Sequence, residues 1–162
     1  MFDITLLWEV RGLILQGFWN TLWICFTGCL LALSLGLVLA ALRLANPRLF
    51  SYPVACYVEL CRGTPLLILL FLLYYGGPSI GLMLSASVAG VVGLGFYGAG
   101  YFAEIYRGGF KSIPKGQLEA ARMLGISRWH ALTRIQIPQM ARLIVPPGTN
   151  QLIILVKESA LI

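Results

Sequence analysis

The chain has 162 residues, of which 59% are hydrophobic and 11% are charged, and its mean hydropathy is +0.84. Soluble domains carry about 25% charged residues, so this composition excludes an ordinary soluble domain and indicates an integral membrane protein. Backbone polar groups inside a membrane must be satisfied internally, and the continuous apolar runs therefore predict an all-α, polytopic membrane fold. The net charge of +6 fits basic cytoplasmic loops rather than nucleic-acid binding.

The first apolar run, Gly12–Leu42, contains no charged residue. A helix crosses a bilayer with roughly 20 apolar residues. Because the polar residues Asn20 and Thr21 stand near the start of the run, we predict the first span over Leu22–Leu42. The helix breaker Asn46-Pro47 follows it.

A second uncharged run, Gly63–Ala103, is too long for one helix. The Gly and Pro residues of Gly76–Gly81 interrupt it, so we predict two spans, over Val54–Tyr75 and Leu82–Ala103. The second of these spans is rich in glycine, which is typical of close helix packing in membranes.

Three charged residues fall within or beside these spans. Glu59 and Arg62 stand one turn apart near the start of the second predicted span, and Glu104 follows the third. Charges inside a membrane are costly, and all three map near the predicted cytoplasmic ends of helices. We therefore expect structural pairing or snorkelling to the interface rather than a solute site.

The distribution of basic residues predicts the orientation in the membrane. The Gly76–Gly81 turn carries no charge, and the N-terminus carries the acidic residues Asp3 and Glu9. Because basic loops stay in the cytoplasm, we predict an external N-terminus and a cytoplasmic loop over residues 108–138. No basic region precedes the first apolar run, so no cleavable signal peptide is predicted. The basic residues on the predicted cytoplasmic side are Arg43, Arg48, Arg107, Lys111, Lys115, Arg122, Arg128, Arg134 and Arg142.

Cysteine and histidine do not form a metal-ligand pattern. There is no Cys-x-x-Cys pair, and His130 is far in sequence from every cysteine. We expect neither a metal site nor a disulfide. No phosphate-binding Gly-x-x-x-x-Gly-Lys-Ser/Thr motif occurs, so we expect the chain itself not to supply ATP hydrolysis. We predict no catalytic residue, no bound cofactor and no enzymatic activity. The cysteines, interpreted as small apolar helix residues, are Cys25, Cys29, Cys56 and Cys61.

The fourth apolar segment, Leu143–Val156, is short and contains Pro146-Pro147-Gly148, which we predict to break the helix. Asn150 and Gln151 stand beside this predicted break. Their neutral amides either contact a solute's ammonium and carboxylate groups or hydrogen-bond neighbouring helices, and both interpretations stay open. The chain ends on residues that resemble the beginning of another segment, so we expect about four spans here and a fifth helix missing at the C-terminus.

The polar loop predicts two short helices. Pro114 marks the start of the first helix, and Gly125 is a suitable terminator. Ser127 can cap a second helix, which we expect Pro138 to interrupt.

The first of these short helices has the composition of a docking helix. Glu119 and Met123 lie on one face at i, i+4 spacing, while Ala120 and Ala121 leave the helix surface shallow. A helix that lies in a groove of another protein needs these properties. The alternatives are a solvated amphipathic loop and a helix that lies on the lipid surface.

The spacing within this loop is itself a motif. Gly125 stands six residues after Glu119, Ile135 ten residues later, and Pro138 three residues after that. This pattern resembles the EAA loop by which a bacterial ABC-importer permease docks on its ATPase. Further stretches are similar to permeases for polar amino acids, of the histidine, glutamine and arginine type: Arg62-Gly63-Thr64-Pro65-Leu66-Leu67, Tyr101-Phe102-Ala103-Glu104-Ile105-Tyr106-Arg107-Gly108-Gly109, and Pro146-Pro147 through Asn150-Gln151.

The resemblance implies one transmembrane permease domain over residues 1–162 of a bacterial inner-membrane importer. Its partners would be a second permease subunit (a copy or a related chain), an ABC ATPase subunit that uses the ATP, an extracytoplasmic solute-binding protein and membrane lipid. The resemblance assigns coupling to the ATPase to Glu119, Ala120, Ala121 and Gly125. Lys157-Glu158-Ser159 departs from the Lys-Asp-Thr expected there.

Two other functions remain as alternatives. An ion-coupled carrier or channel would need a charged relay or inverted repeats at mid-membrane, and neither is found in the sequence. A membrane anchor that recruits a cytoplasmic partner through the basic loop would need only helix packing and a docking loop.

Overall fold

The computed structural model describes residues 10–162, and within this range the chain is helical with no strand. The predicted all-α class is therefore confirmed, whereas the prediction for the N-terminus, which involves Asp3 and Glu9, lies outside the described residues. The α-helices are α1 (Arg11–Ala45), α2 (Pro47–Gly63), α3 (Leu66–Phe71), α4 (Ala86–Lys111), α5 (Lys115–Met123), α6 (Arg128–Ala131) and α7 (Ile137–Glu158). Shorter π-helical and 3-10 segments cover Leu72–Gly76, Gly77–Ile80, Leu132–Gln136 and Ser159–Leu161.

The central element is α4, against which α1, α2 and α7 all pack. Its glycines bring neighbouring backbones close. A Cβ atom added at Gly98 would lie 2.7 Å from the Cβ of Ala32 on α1 and 2.8 Å from a methyl group of Leu155 on α7. Lipid tails are as apolar as leucine, so helices in a membrane associate through such close van der Waals packing.

The second predicted span is not one helix. α2 ends at Gly63, and the segment Leu66–Ile80 leaves at an angle of 105° to it. Proline lacks an N–H and disfavours helical backbone in the preceding residue, so Thr64 before Pro65 is extended. The predicted span over Val54–Tyr75 therefore stays a prediction, and it is bent at Thr64 rather than formed by one helix.

The predicted turn at Gly76–Gly81 is present as a 3-10 segment that ends at Gly81, whose φ of +82° is in the left-handed region that glycine adopts without strain. By length and composition, α1 and α4 can each cross a membrane. The bent pair of α2 and Leu66–Ile80 supplies a third candidate. The predicted number of four spans thus stays a prediction.

Two predicted helix breaks do not occur. α6, the π-helical segment Leu132–Gln136 and α7 follow one another without interruption, so Pro138 does not stop the helix. Pro146 and Pro147 lie inside α7 on its exposed side. A helix in a membrane tolerates proline where local π adjustment or neighbouring groups take up the freed backbone groups. The predicted break beside Asn150 was therefore wrong.

A test of the close packing is to add one methyl group at Gly98. We expect Gly98→Ala to lower the free energy of unfolding by about 1–3 kcal/mol, because overpacking a tight contact forces side chains or backbone to shift. The measurement is the unfolding midpoint of the purified protein in detergent. Gly108→Ala is the matched control, since an added Cβ there meets nothing within 4 Å; equal destabilisation by both changes would contradict the packing role.

Candidate functional site

The short helix α5 is terminated by a glycine cap. The N–H of Gly125 donates to the carbonyl of Arg122 at 3.0 Å, and the N–H of Ile126 donates to the carbonyl of Ala121 at 2.9 Å. This pair of bonds is the Schellman arrangement, which needs left-handed backbone after the helix. Gly125 provides it with a φ of +72°, so the prediction that Gly125 ends the helix is confirmed.

Among the exposed residues of α5 and its C-cap, Glu119, Ala120, Met123 and Leu124 lie within about 140° of one another around the helix axis. Met123 is 88% exposed and Leu124 is 78% exposed. At 100° per residue, Glu119 and Met123 point within about 40° of each other. The face therefore joins a carboxylate to two large apolar side chains, and we call these four residues the α5 docking face.

Ala121 does not belong to the α5 docking face. Its side chain is 3% exposed and lies inside the chain. The helical period explains this position, because two residues after Glu119 the helix has turned by about 200°. The expectation that Ala120 and Ala121 together form a shallow outer surface therefore holds only for Ala120.

Side-chain hydrogen bonds fix the position of this loop. The amide Nε2 of Gln139 on α7 donates to Oε1 of Gln117 on α5 at 2.8 Å. Ser127 accepts a hydrogen bond from the N–H of His130 at 3.3 Å, which confirms the predicted cap. The α5 docking face is thus attached to the start of the long α6–α7 helix.

Glu104 forms an ion cluster where α1, α2 and α4 meet. Nη1 of Arg43 donates to Oε1 of Glu104 at 3.0 Å, and Nε of Arg107 donates to both carboxylate oxygens at 2.8 and 2.9 Å. Nε of Arg43 also donates to the hydroxyl of Ser51 on α2 at 3.3 Å. Charge-assisted, bidentate bonds of this kind are the strong ones, so Glu104 has the structural pairing role expected of it.

Glu59 and Arg62 lie near the end of α2, beside the break at Thr64, and not near its starting end as the sequence suggested. The two residues form no ion pair with each other among the described residues. Instead, the guanidinium carbon of Arg62 lies 5.6 Å from the ring centre of Tyr101, a cation–π distance. The position differs from the expectation because α2 stops at Gly63.

A chain of polar side chains, Tyr101, Tyr97 and Glu158, continues from Arg62 into the helix bundle, and we call it the polar line. The hydroxyls of Tyr101 and Tyr97 are 3.3 Å apart, and the hydroxyl of Tyr97 donates to Oε1 of Glu158 at 3.2 Å. The sequence-based candidates did not include Tyr97 or Glu158 as site residues. The i, i+4 spacing of the two tyrosines puts them on one helix face, which is the signal that was available.

A cavity of about 410 Å³ opens at the α2 break. Helix ends leave backbone carbonyl and N–H groups without intrahelical partners, and here an acidic and a basic side chain stand beside them. The cavity can therefore receive a small polar molecule. Its lining consists of Val58, Glu59, Arg62, Gly63 and Tyr101.

Asn150 and Gln151 face different surroundings. Asn150 is exposed on the outside of α7, whereas Gln151 is 6% exposed and its Nε2 has no hydrogen-bond partner in the described part of the chain. The remaining Oε2 of Glu158 also lacks one. The two amides therefore do not form one surface within this chain.

Residues that could hold a metal are not clustered in the described range: no group of three or more His, Cys, Asp or Glu side chains is present. The four cysteines are free thiols.

These features define a class: a helical membrane protein with a polar cavity at a helix break and an exposed short helix in a basic loop. Residues 32–162 match the family described as the binding-protein-dependent transport system inner membrane component, and the chain belongs to this family. The chain is therefore the membrane component of an ABC importer. Hydrolysis of ATP in this family belongs to a partner chain.

Similar proteins come from several bacteria. The probable amino-acid ABC transporter permease protein YckA of Bacillus subtilis is 37% identical over 161 residues, which cover 99% of this chain and 71% of that protein. The histidine/lysine/arginine/ornithine transport system permease protein HisQ of Escherichia coli is 34% identical, with 97% and 74% covered.

Solved structures share the fold. A crystal structure of an amino acid ABC transporter with histidines matches with a TM-score of 0.87 at 33% identity, covering 99% of this chain and 75% of that one. An inward facing conformation of the MetNI methionine ABC transporter matches with a TM-score of 0.74 at 25% identity, covering 94% and 74%.

Removal of the shared carboxylate tests the ion cluster. We expect Glu104→Ala to lower the free energy of unfolding by about 1–3 kcal/mol, because two partly buried guanidinium groups lose their partner. The unfolding midpoint of the purified protein measures this. Glu119→Ala removes a carboxylate that has no ion pair in the described residues, and an equal loss in that control would argue against the cluster.

Proposed function

We propose that this chain is a single permease domain of an ATP-driven importer that carries polar amino acids across the bacterial inner membrane, which it crosses several times. In this arrangement the N-terminus is outside and the loop over residues 108–138 is cytoplasmic. The relatives described above are amino-acid permeases by name, and the excess of Arg and Lys in this loop supports the orientation.

The observation that carries the proposal is the α5 docking face. Met123 and Leu124 are almost fully exposed in a short helix that a glycine cap ends and a glutamine pair holds in place. Large apolar side chains rarely stand together in water without a partner. A helix in a groove of the ATPase would cover both and would place Glu119 next to a basic side chain.

A helix resting on lipid explains this face less well. Lipid-surface helices separate a charged face from an apolar face, whereas Glu119 and Met123 share one face of α5. A protein groove can satisfy a carboxylate and cover an apolar side chain at the same time. The coupling residues are therefore Glu119, Ala120 and Gly125, with Ala121 acting from inside by supporting the helix.

The proposed assembly has two permease subunits, two copies of the ATPase and an extracytoplasmic solute-binding protein. This chain binds no cofactor itself, and the ATPase uses the ATP. The permease pair alternates between inward-facing and outward-facing states, and the ATPase shifts the balance by binding one state better than the other.

The cavity at the α2 break is the proposed place of solute contact. An amino acid carries an ammonium and a carboxylate, and Glu59 and Arg62 present the two opposite charges in one cavity. Broken helices at mid-membrane serve this purpose in other transporters. Asn150 remains a second candidate for the solute path, because its amide is exposed on α7.

An ion-coupled carrier and a plain membrane anchor were the alternatives, and the family match favours neither. The line from Arg62 through Tyr101 and Tyr97 to Glu158 is a chain of polar contacts inside the permease bundle. Transport by the isolated chain without ATP would contradict the importer.

The coupling role is tested by changing the α5 docking face and its cap. Glu119→Lys should weaken binding of the ATPase by about 2–5 kcal/mol, since a charge left unpaired in a cleft is costly. Gly125→Pro should have a similar effect, because proline cannot adopt the positive φ of this position. Co-purification with the ATPase and ATP-dependent uptake in proteoliposomes measure both effects.

Gly108→Ala, at a position outside α5, is the matched control for the coupling test. An added Cβ at Gly108 meets nothing within 4 Å, so association and uptake should remain as in the unchanged protein. Normal association together with normal uptake in Glu119→Lys and Gly125→Pro would exclude this loop as the coupling element.

Solute contact is tested at the α2 break. We expect Glu59→Gln and Arg62→Gln each to raise the KM of uptake by about tenfold or more. Each change removes one charged hydrogen bond to the solute, which contributes roughly 1.5–3 kcal/mol. ATPase association should remain normal. Arg48 is an exposed arginine at the other end of α2, so Arg48→Gln should leave the KM unchanged. An unchanged KM in all three variants would show that the solute does not bind at the α2 break.

A further inference from the structure

A second cavity, of about 300 Å³, lies where α1 ends, α2 begins and α4 ends. Three basic side chains and two neutral polar ones line it, and apolar side chains complete its wall. It is separate from the cavity at the α2 break. The lining residues are Ala40, Arg43, Leu44, Pro47, Ser51, Arg107, Phe110, Lys111 and Gln136.

The charges around this cavity do not balance. Arg43 and Arg107 share the single carboxylate of Glu104, and Lys111 forms no ion pair in the described part of the chain. Three positive charges therefore meet one negative charge, which leaves an excess of two. The side chains of Arg43 and Arg107 keep 22% and 29% of their surface exposed, so an anion in the cavity can reach them.

Neutral donors complete the anion site. Ser51 accepts a hydrogen bond from Arg43 at 3.3 Å, which leaves its own O–H free to donate to a ligand. Gln136 brings an amide from the segment before α7. Guanidinium groups with a lysine and a hydroxyl are suited to the oxygens of a phosphate group.

The apolar part of the wall continues along α1. Leu44 lines the cavity, and Ala41 and Leu37 lie three and seven residues before it, so the three residues share one face of the helix. All three are exposed. This face leads from the cavity into the region that the membrane covers in the proposed orientation.

We propose that this cavity binds the phosphate headgroup of an anionic phospholipid of the cytoplasmic leaflet. The phosphate lies against Arg43, Arg107 and Lys111, and one acyl chain follows Leu44, Ala41 and Leu37. Basic pockets between helices on the cytoplasmic side bind anionic headgroups in other membrane proteins. The inference uses the orientation of the proposed function but does not depend on the solute or on the ATPase.

The position of the site gives the lipid a structural effect. Arg43 and Arg107 already connect α1, α2 and α4 through Glu104 and Ser51. A phosphate at the same guanidinium groups adds further bonds across these three helices. A ligand that binds only the folded state raises its stability, so an anionic lipid should raise the unfolding midpoint more than a zwitterionic one.

The test is native mass spectrometry of the full chain purified in detergent, with phosphatidylglycerol or phosphatidylcholine added. The unchanged protein should retain phosphatidylglycerol preferentially. Lys111→Gln should weaken its binding about fivefold, the equivalent of roughly 1 kcal/mol for one basic residue near a headgroup. Lys111→Arg keeps the charge and should restore binding, and the unfolding midpoint without lipid checks that each variant is folded.

Arg48→Gln is the matched control, since Arg48 is an exposed basic residue at the same end of α2 but does not line the cavity. Its phosphatidylglycerol binding should remain unchanged. Equal retention of the two lipids, or equal losses in Arg48→Gln and Lys111→Gln, would overturn the site. Displacement of the lipid by millimolar inorganic phosphate would assign the cavity to a soluble phosphate compound and overturn the lipid assignment.

Discussion

The close approach of backbones along α4 is the constraint on which the rest of the structure depends. Inside a bilayer the hydrophobic effect does not drive one helix against another, and close contact must replace it. At Gly36 the backbone of α1 lies so close to α4 that an added Cβ would lie 2.6 Å from the Cβ of Phe102. With α4 fixed between α1 and α7, the positions of α2, of the ion cluster and of the polar line follow.

The two ends of α2 have different structural roles. At its start, Ser51 accepts a hydrogen bond from Arg43 and joins the cluster around Glu104, whose carboxylate is paired with two arginines. At its end, Glu59 and Arg62 stand beside a helix break without an ion pair between them. The paired carboxylate stabilises the fold, whereas charges without an ion pair beside a cavity are suited to binding.

A continuous helical segment links the basic loop to the polar line inside the bundle. From Arg128 to Glu158 the chain is helical without interruption. Gln139 joins its first part to α5, and Glu158 at its far end bonds Tyr97. A displacement of the α5 docking face therefore has a contiguous physical route to the bundle interior.

The sequence by itself determined the membrane class, the short helix α5 with its Gly125 terminator, and the Ser127 cap. These features depend on composition and on interactions between residues a few positions apart, which local physics decides. Only the tertiary structure decided that the chain breaks at Thr64 and not at Pro146. A proline breaks a helix or leaves it intact according to what takes up the freed backbone groups, and that depends on packing and local adjustment. The same holds for Tyr97 and Glu158, since sixty-one positions separate them in the chain and only the packing of α7 on α4 brings them together.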